Sequence, residues 1–289
     1  MQVIPLPYHQ ASIQRDGREL TRYHFGPSLR RPFLFPIIGP SGRSLTRMGH
    51  PHDPVGHSHH NSVWITHHKV NGDNFWADRG EGQILHRRLV RYTDTDQSAS
   101  IISLNAWVGR NNQTHLMERR RVEVTPLPDD EWLMTIDVQF ESKKKPVTFE
   151  KTAFGVIGVR IAKTIGIHDG GGMIRNSEGK VNEKGENGAF RKPARWVDYS
   201  GPIVGKTIEG ITLLDHPSNP NHPAHFHVRG DGWMGASLSF AKAITLKPKE
   251  LLRLRYGLYI HRGAPTRKAL EARWKKFAES KIEDLPTTR

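Results

Sequence analysis

A two-residue alternation of apolar and polar side chains recurs along this chain, and it limits the fold more than any other feature. In 132–140, Trp132, Met134, Ile136, Val138 and Phe140 fall on one side, with Thr135, Asp137 and Gln139 on the other. Successive side chains of an extended strand point to opposite faces, so this segment reads as a half-buried antiparallel strand. Ile102, Leu104, Ala106 and Val108 repeat the pattern, as do Leu252, Leu254, Tyr256, Leu258 and Ile260. Stretches rich in Pro and Gly, such as 126–130, 170–172 and 217–220, separate strands and mark turns. Helical spacing is clear only over 266–277, where Leu270, Trp274 and Phe277 recur at i, i+4 and i+7. Many alternating strands with one terminal helix predict an all-β protein, a large antiparallel β-sandwich with a C-terminal helix (about 265–278) packed outside a sheet. No repeat or linker interrupts the pattern. The 289 residues therefore read as a single domain, with its core over about 20–263.

Composition removes several function classes. The absence of cysteine excludes a disulfide scaffold, thiolate metal sites, iron–sulfur clusters and a thiol nucleophile. No window has the run of about 18 apolar residues that a membrane-spanning helix needs. The opening MQVIPLPYHQ lacks the basic and apolar regions of a secretory leader, which predicts a cytoplasmic protein, or a periplasmic one if a leader was removed. The 43 Lys and Arg against 29 Asp and Glu give +14, a field that attracts polyanions. The basic runs Arg119–Arg121 and Lys143–Lys145 come without a helix–turn–helix, an aromatic RNA-binding strand or a zinc finger. Nucleic acid is therefore not the expected partner.

The histidines are unevenly placed. Of 17, seven lie between His50 and His68 (His50, His52, His57, His59, His60, His67, His68), and four between His216 and His227. Imidazole is the usual carrier of protons near neutral pH and the commonest metal ligand. In the strand-like stretch after His60, Val63 and Ile65 take one face and leave His60, Ser62, Trp64, Thr66 and His68 on the other. Indole, hydroxyls and imidazoles on one face suit a sugar cleft, with stacking on the ring and hydrogen bonds around it. His225 and His227 likewise share a face across Phe226. His57, His59 and His60, with Asp53, could form a facial site for one divalent metal ion.

Acid–base chemistry on a sugar also needs a carboxylate. Asp215 ends an apolar strand, where it serves either as a base or as a turn cap. Asp198 lies among aromatics in 195–201, whereas Glu178 and Glu183, in the polar stretch 176–195, read as solvated. Arg229 and Asp231 flank Gly230 and suggest a loop-holding pair. The run 32–36 is apolar on both faces and predicts a buried strand with its prolines at the ends. Arg31 enters that strand, and a buried guanidinium must find acceptors. It is expected in the same pocket as His60 and Trp64, gripping a ligand with its fork.

Taken together, Arg31–Pro40, His57–Trp64, Val70–Trp76, Ala194–Gly201 and Asp215–Pro223 resemble the bacterial family labelled "methane oxygenase PmoA", over about 30–263. More distantly, the layout is similar to the galactose-mutarotase-like β-supersandwich, in which a sugar sits on a concave sheet face. The resemblance implies a carbohydrate-active enzyme that hydrolyses, eliminates or epimerises a sugar or glycoside substrate, which could be acidic. His60, His68, His225 and His227, with Asp198 or Asp215, are the expected catalytic groups. Arg31, Trp64, Trp76, Trp196, Tyr199 and Arg229 are the expected binding groups. Two alternatives stay open at this point: a metal-dependent oxygenase, and a non-catalytic module that binds acidic polysaccharide.

Overall fold

The alternating segments pair into two large antiparallel sheets in the computed structural model, which describes residues 1–286. The expected domain runs to 289, and its last three positions lie outside the described residues. One sheet has nine strands, in the order Gln2–Leu6, Gln10–Arg15, Arg18–His24, Phe33–Ile37, Val63–His67, Gly155–Arg160, Trp233–Ser237, His225–Arg229 and Lys192–Pro193. The other has eight: Met173–Asn176, Trp196–Val204, Thr207–Asp215, Leu251–Arg262, Trp132–Glu141, Thr114–Pro126, Ala99–Val108 and Gln83–Asp94. A small ribbon pairs Val147–Phe149 with Ile244–Leu246.

The inward faces meet in one core. Val63, Ile65, Ile157, Val159 and Met234 come from the nine-stranded sheet, and Met134, Ile136, Val138, Ile211 and Leu254 from the eight-stranded one. This is the all-β sandwich expected from the alternation. It starts earlier than the expected boundary near 20, because Val3, Ala11 and Ile13 from the first two strands enter the same core. The Phe33–Ile37 strand is internal as expected, but Pro36 lies within it. A proline has no N–H to give to a ladder, and the pairing with Arg18–His24 slips between Thr21 and Tyr23.

The C-terminal helix spans Arg267–Ala278, and the Thr266 hydroxyl caps it by accepting from the Ala269 N–H at 3.2 Å. Leu270 and Phe277 press on Trp196, Leu214 and Tyr259, outside the eight-stranded sheet. The polar stretch 176–195 is tied down more firmly than its composition suggests. Asn182 and Ala189 bond across it, and Glu183 is buried. Glu183 accepts the Gly230 N–H at 2.7 Å and pairs with Arg229 at 3.0 Å, so it is a loop anchor and not a solvated side chain. No helix among the described residues is long and apolar enough to cross a membrane.

Candidate functional site

Strand register builds the site. On the outer face of the nine-stranded sheet, Phe33, Trp64, Gly158, Gly235 and His227 stand opposite one another across five strands. The two glycines clear floor space that the sheet would otherwise fill with side chains. The Trp64 indole occupies part of it, and a Cβ on Gly158 would lie 2.5 Å from its Cζ2. Phe33, Trp64, Trp76 and Trp233 form an aromatic cluster there, separate from the core between the sheets. His60 enters this cluster between two indoles. Its ring centroid is 5.4 Å from Trp64 and 5.8 Å from Trp233, with interplanar angles of 23° and 16°.

Above the floor opens a cleft of about 340 Å³, within the range of small-molecule sites. Its deep part is His60, His227, Trp76 and Trp233, all buried. Its wall is more exposed: His57, His59, His68, Asn74, Ala77, Phe154 and Asp231 are half-buried, and Arg191 and Arg229 are exposed.

The imidazoles of the deep part are uncharged at neutral pH. Burial pushes His60 far below the ordinary imidazole range, helped by His59 and Arg160. Burial, then Arg31, brings His59 down to about 4. Burial, then Arg191 and Arg229, brings His227 down to about 3. Neither the His60 nor the His227 ring hydrogen-bonds to another described residue, and the Nδ1 of each is buried without a partner. The Nε1 atoms of Trp64 and Trp233 are in the same state. Four unpaired buried nitrogens around one cleft are unusual, since buried polar atoms in folded proteins are nearly always paired. His57 differs. Its Nδ1 lies 2.7 Å from Asp53 Oδ2, and the carboxylate also accepts the Gly56 N–H at 2.6 Å. Asp231 binds His50 at 3.1 Å and Arg160 at 3.0 Å. Burial opposes its ionisation, but Arg160 and His50 outweigh burial and hold its pKa below the usual carboxylate value.

Seven of the expected site residues line this cleft: His57, His59, His60, His68, His227, Trp76 and Arg229. Trp64 lies behind the floor, buried, and offers no open stacking face. Arg31 is also buried behind the wall, with its fork already occupied. Nη2 donates to the Trp76 and Phe75 carbonyls at 2.7 and 3.1 Å, and Nη1 to Asn61 Oδ1 at 2.6 Å. Arg229 does not pair with Asp231, because Glu183 and Arg160 take those places.

Five expected site residues lie elsewhere. Trp196 is packed under the C-terminal helix, with Nε1 donating to Glu271 at 3.0 Å. Asp198 is buried on the outer face of the eight-stranded sheet, held by Arg175, Thr212 and His261. Tyr199 points into the core and donates to the Arg229 and Gly230 carbonyls, which supports the cleft from behind. Asp215 organises its own loop, accepting from Asn219, His222 and the Ala224 N–H, so it is the turn cap of the two readings. His225 shares its strand face with His227 but stacks on Phe240, away from the cleft. His57, His59 and His60 are neighbours, with centroids 4.6 to 5.7 Å apart, yet no group of three or more His, Asp or Glu among the described residues is arranged to hold a metal.

Sequence reasoning passed over Trp233, Phe154, Asn74 and Arg191. Trp233 was accessible to it: Trp233, Gly235 and Ser237 alternate with buried Met234 and Ala236, just as Trp64 alternates with Val63 and Ile65. Phe154 and Arg191 come from loops whose approach only the fold determines. A larger concavity of about 700 Å³ lies among Arg15, Glu19, Ser41 and Trp132. It contains no histidine, and none of the orphaned buried nitrogens faces it.

No curated protein matches the chain. Among solved structures it is similar to galactose 1-epimerase from Lactobacillus acidophilus NCFM, with TM-score 0.45 and 9% identity over 88% of this chain and 95% of that one. It is also similar to a glycoside hydrolase family 97 enzyme from Pseudoalteromonas sp., with TM-score 0.32 and 11% identity over 86% of this chain and 35% of that one. Likenesses this slight assign no property to the chain. None of these matches bears the methane oxygenase label that the motifs led us to expect, and that label is set aside. A family model does match residues 10–275, so the chain belongs to the family described as a family of unknown function, DUF6807.

Proposed function

We propose that this protein is a carbohydrate-active enzyme that holds a sugar in the outer-face cleft and moves a proton with His57. The observation that carries this reading is the pairing of two environments in one cleft. The floor offers uncharged, partnerless imidazoles set among indoles, and the wall carries an imidazole already oriented by a carboxylate.

A sugar ring presents C–H faces and hydroxyl edges. The rings of Trp76, Trp233 and Phe154 suit the former. The neutral rings of His60, His59 and His227, which can each donate and accept, suit the latter. Their depressed basicity makes them poor proton acceptors near neutral pH, since a general base works best with a pKa near the working pH. His60 and His227 thus move from the expected catalytic role to a binding role. His57 takes the catalytic one: Asp53 fixes its Nδ1 and leaves Nε2 uncommitted, as an acid–base imidazole requires. Arg191 makes no ion pair with a described residue, and its guanidinium lies over Phe190 at 4.8 Å. With Arg229 it gives one end of the cleft a positive field that favours a sugar bearing a carboxylate.

The test uses neutral hexoses and the corresponding uronic acids as probes. Tryptophan fluorescence reports binding, and proton NMR of the sugar reports conversion. Uronic acids are expected to bind more tightly, and His57→Ala to abolish conversion while binding persists. Absence of binding by both sugar classes, or full conversion by His57→Ala, would refute the assignment.

A further inference from the structure

The opposite face of the molecule carries a second, unassigned concentration of charge. On the outer face of the eight-stranded sheet, Arg91, Ile102, Arg121, Asp137 and Arg255 stand in one cross-strand row. Two residues further along lies the parallel row Arg88, Leu104, Arg119, Gln139 and Arg253. Arginine thus falls on every second strand, which at the usual strand separation spaces the guanidinium stems by about 10 Å. The C-terminal helix adds Arg273 and Lys276, and Lys281 follows it. Between helix and sheet a cleft of about 400 Å³ opens, lined by these three with Arg121 and Arg255.

The acids beside these two rows are committed. Asp137 is buried and shared by Arg121 at 2.7 Å and Arg255 at 2.6 Å. Glu141 sits 3.4 Å from Arg119, and Glu123 lies 3.9 Å from Arg121. Two more arrive from the segment after the helix. Asp284 accepts from Arg253 at 2.6 Å and from Gln139 at 3.2 Å, and Glu283 lies 3.8 Å from Arg121. An acidic dipeptide of the chain itself therefore rests across both arginine rows.

We propose that this face is a binding site for an extended oligouronate, and that Glu283 and Asp284 hold two of its carboxylate positions in the free protein. Guanidinium forks match planar carboxylates, and two parallel rows of them along the sheet suit a linear chain bearing one carboxylate per sugar. Single-stranded nucleic acid needs aromatic platforms between its cations. Here Arg273 covers Tyr259 at 4.7 Å, and Phe277 is buried. A duplex is read by an element that enters its groove, whereas this site is a concavity walled by a helix. The proposal does not depend on the cleft of the other sheet.

The test is calorimetric titration of the full-length protein with oligogalacturonate at low and high salt, with a neutral dextran oligosaccharide and single-stranded DNA of equal charge as comparisons. Binding should weaken steeply with salt and be absent for dextran. Lys276→Glu with Lys281→Glu, both exposed and in no ion pair with a described residue, should weaken it about tenfold or more. Glu283→Gln with Asp284→Asn should strengthen it, because an internal competitor is removed. Circular dichroism checks that each variant folds. DNA bound as tightly as oligogalacturonate, no binding of oligogalacturonate, or an affinity unchanged or lowered by the Glu283→Gln and Asp284→Asn pair would each overturn the proposal.

Discussion

Arg31 Nη2 donates to the Trp76 carbonyl at 2.7 Å, and the two residues define how the cleft is held open. The guanidinium of Arg31 spans the segment carrying His59 and Asn61 and the segment carrying Phe75 and Trp76. It stays charged although burial pushes its pKa down to about 10. This side chain ties the wall segment to the backbone that carries the Trp76 indole.

Arg31→Lys should therefore reduce stability before it reduces chemistry. A lysine has a single ammonium and cannot reach both loops, so several buried carbonyls lose their donor. The expected loss is about 2–4 kcal/mol, the range for unpaired buried polar groups in a broken network. Thermal denaturation against the parent protein measures it. An unchanged melting temperature with lost sugar binding would return Arg31 to the ligand.

Trp196 should behave as a packing residue. Its indole lies under Leu270 and Phe277 and anchors the helix through Glu271. Trp196→Ala is expected to cost about 3–5 kcal/mol, as large aromatic truncations in cores do. Sugar affinity at the cleft, read below the lowered melting point, should be unchanged. A loss of affinity without a loss of stability would place Trp196 in the site.

Acid should loosen the protein through its buried imidazoles. His227 titrates at about 3 in the folded state and near 6.5 when unfolded. Its folded pKa is depressed, so between those values only the unfolded chain takes up the proton. Stability is intact above about 6.5 and falls as pH drops toward 3, with about 2 kcal/mol lost by pH 5 from this residue. His227→Gln cannot titrate, so its urea-unfolding free energy should fall less between pH 7 and 5 than that of the parent. Equal slopes for the two proteins would contradict a neutral, buried His227.

Strand alternation and one run of helical spacing are local signals, and they made the sandwich and its helix legible without coordinates. The histidine-rich segment was legible for a similar reason, because Val63 and Ile65 declare which face of their strand is core. What failed was the step from composition to position. Asp198, Tyr199 and Trp196 occupy one strand, yet Tyr199 faces the core while its neighbours face the helix side. Their aromatic surroundings looked the same in the sequence. Asp137 and Gln139 alternate as solvent-facing residues should, but are buried because Arg121, Arg255 and the 281–286 segment cover them. Arg121 comes from the neighbouring strand, but Arg255 and Asp284 reach Asp137 and Gln139 from more than a hundred residues away.

Gly158 is where the backbone itself shapes the cleft. It pairs with Trp64 on one side and Gly235 on the other, and the Trp64 indole lies directly over it. A methyl group at 158 would sit 2.5 Å from Trp64 Cζ2, closer than van der Waals contact allows, so the indole must move. It has little freedom to do so, because it packs on His60 at 5.4 Å and Trp76 at 5.5 Å. The residue is not at a positive φ, so the penalty of Gly158→Ala is steric and local. Overpacking of this kind costs about 1–3 kcal/mol. The expected result is a modest fall in melting temperature, together with a shift of the Trp emission maximum and a loss of sugar binding, since His60 and Trp76 are displaced with the ring. Binding that survives Gly158→Ala unchanged would show that the ligand does not rest on this floor.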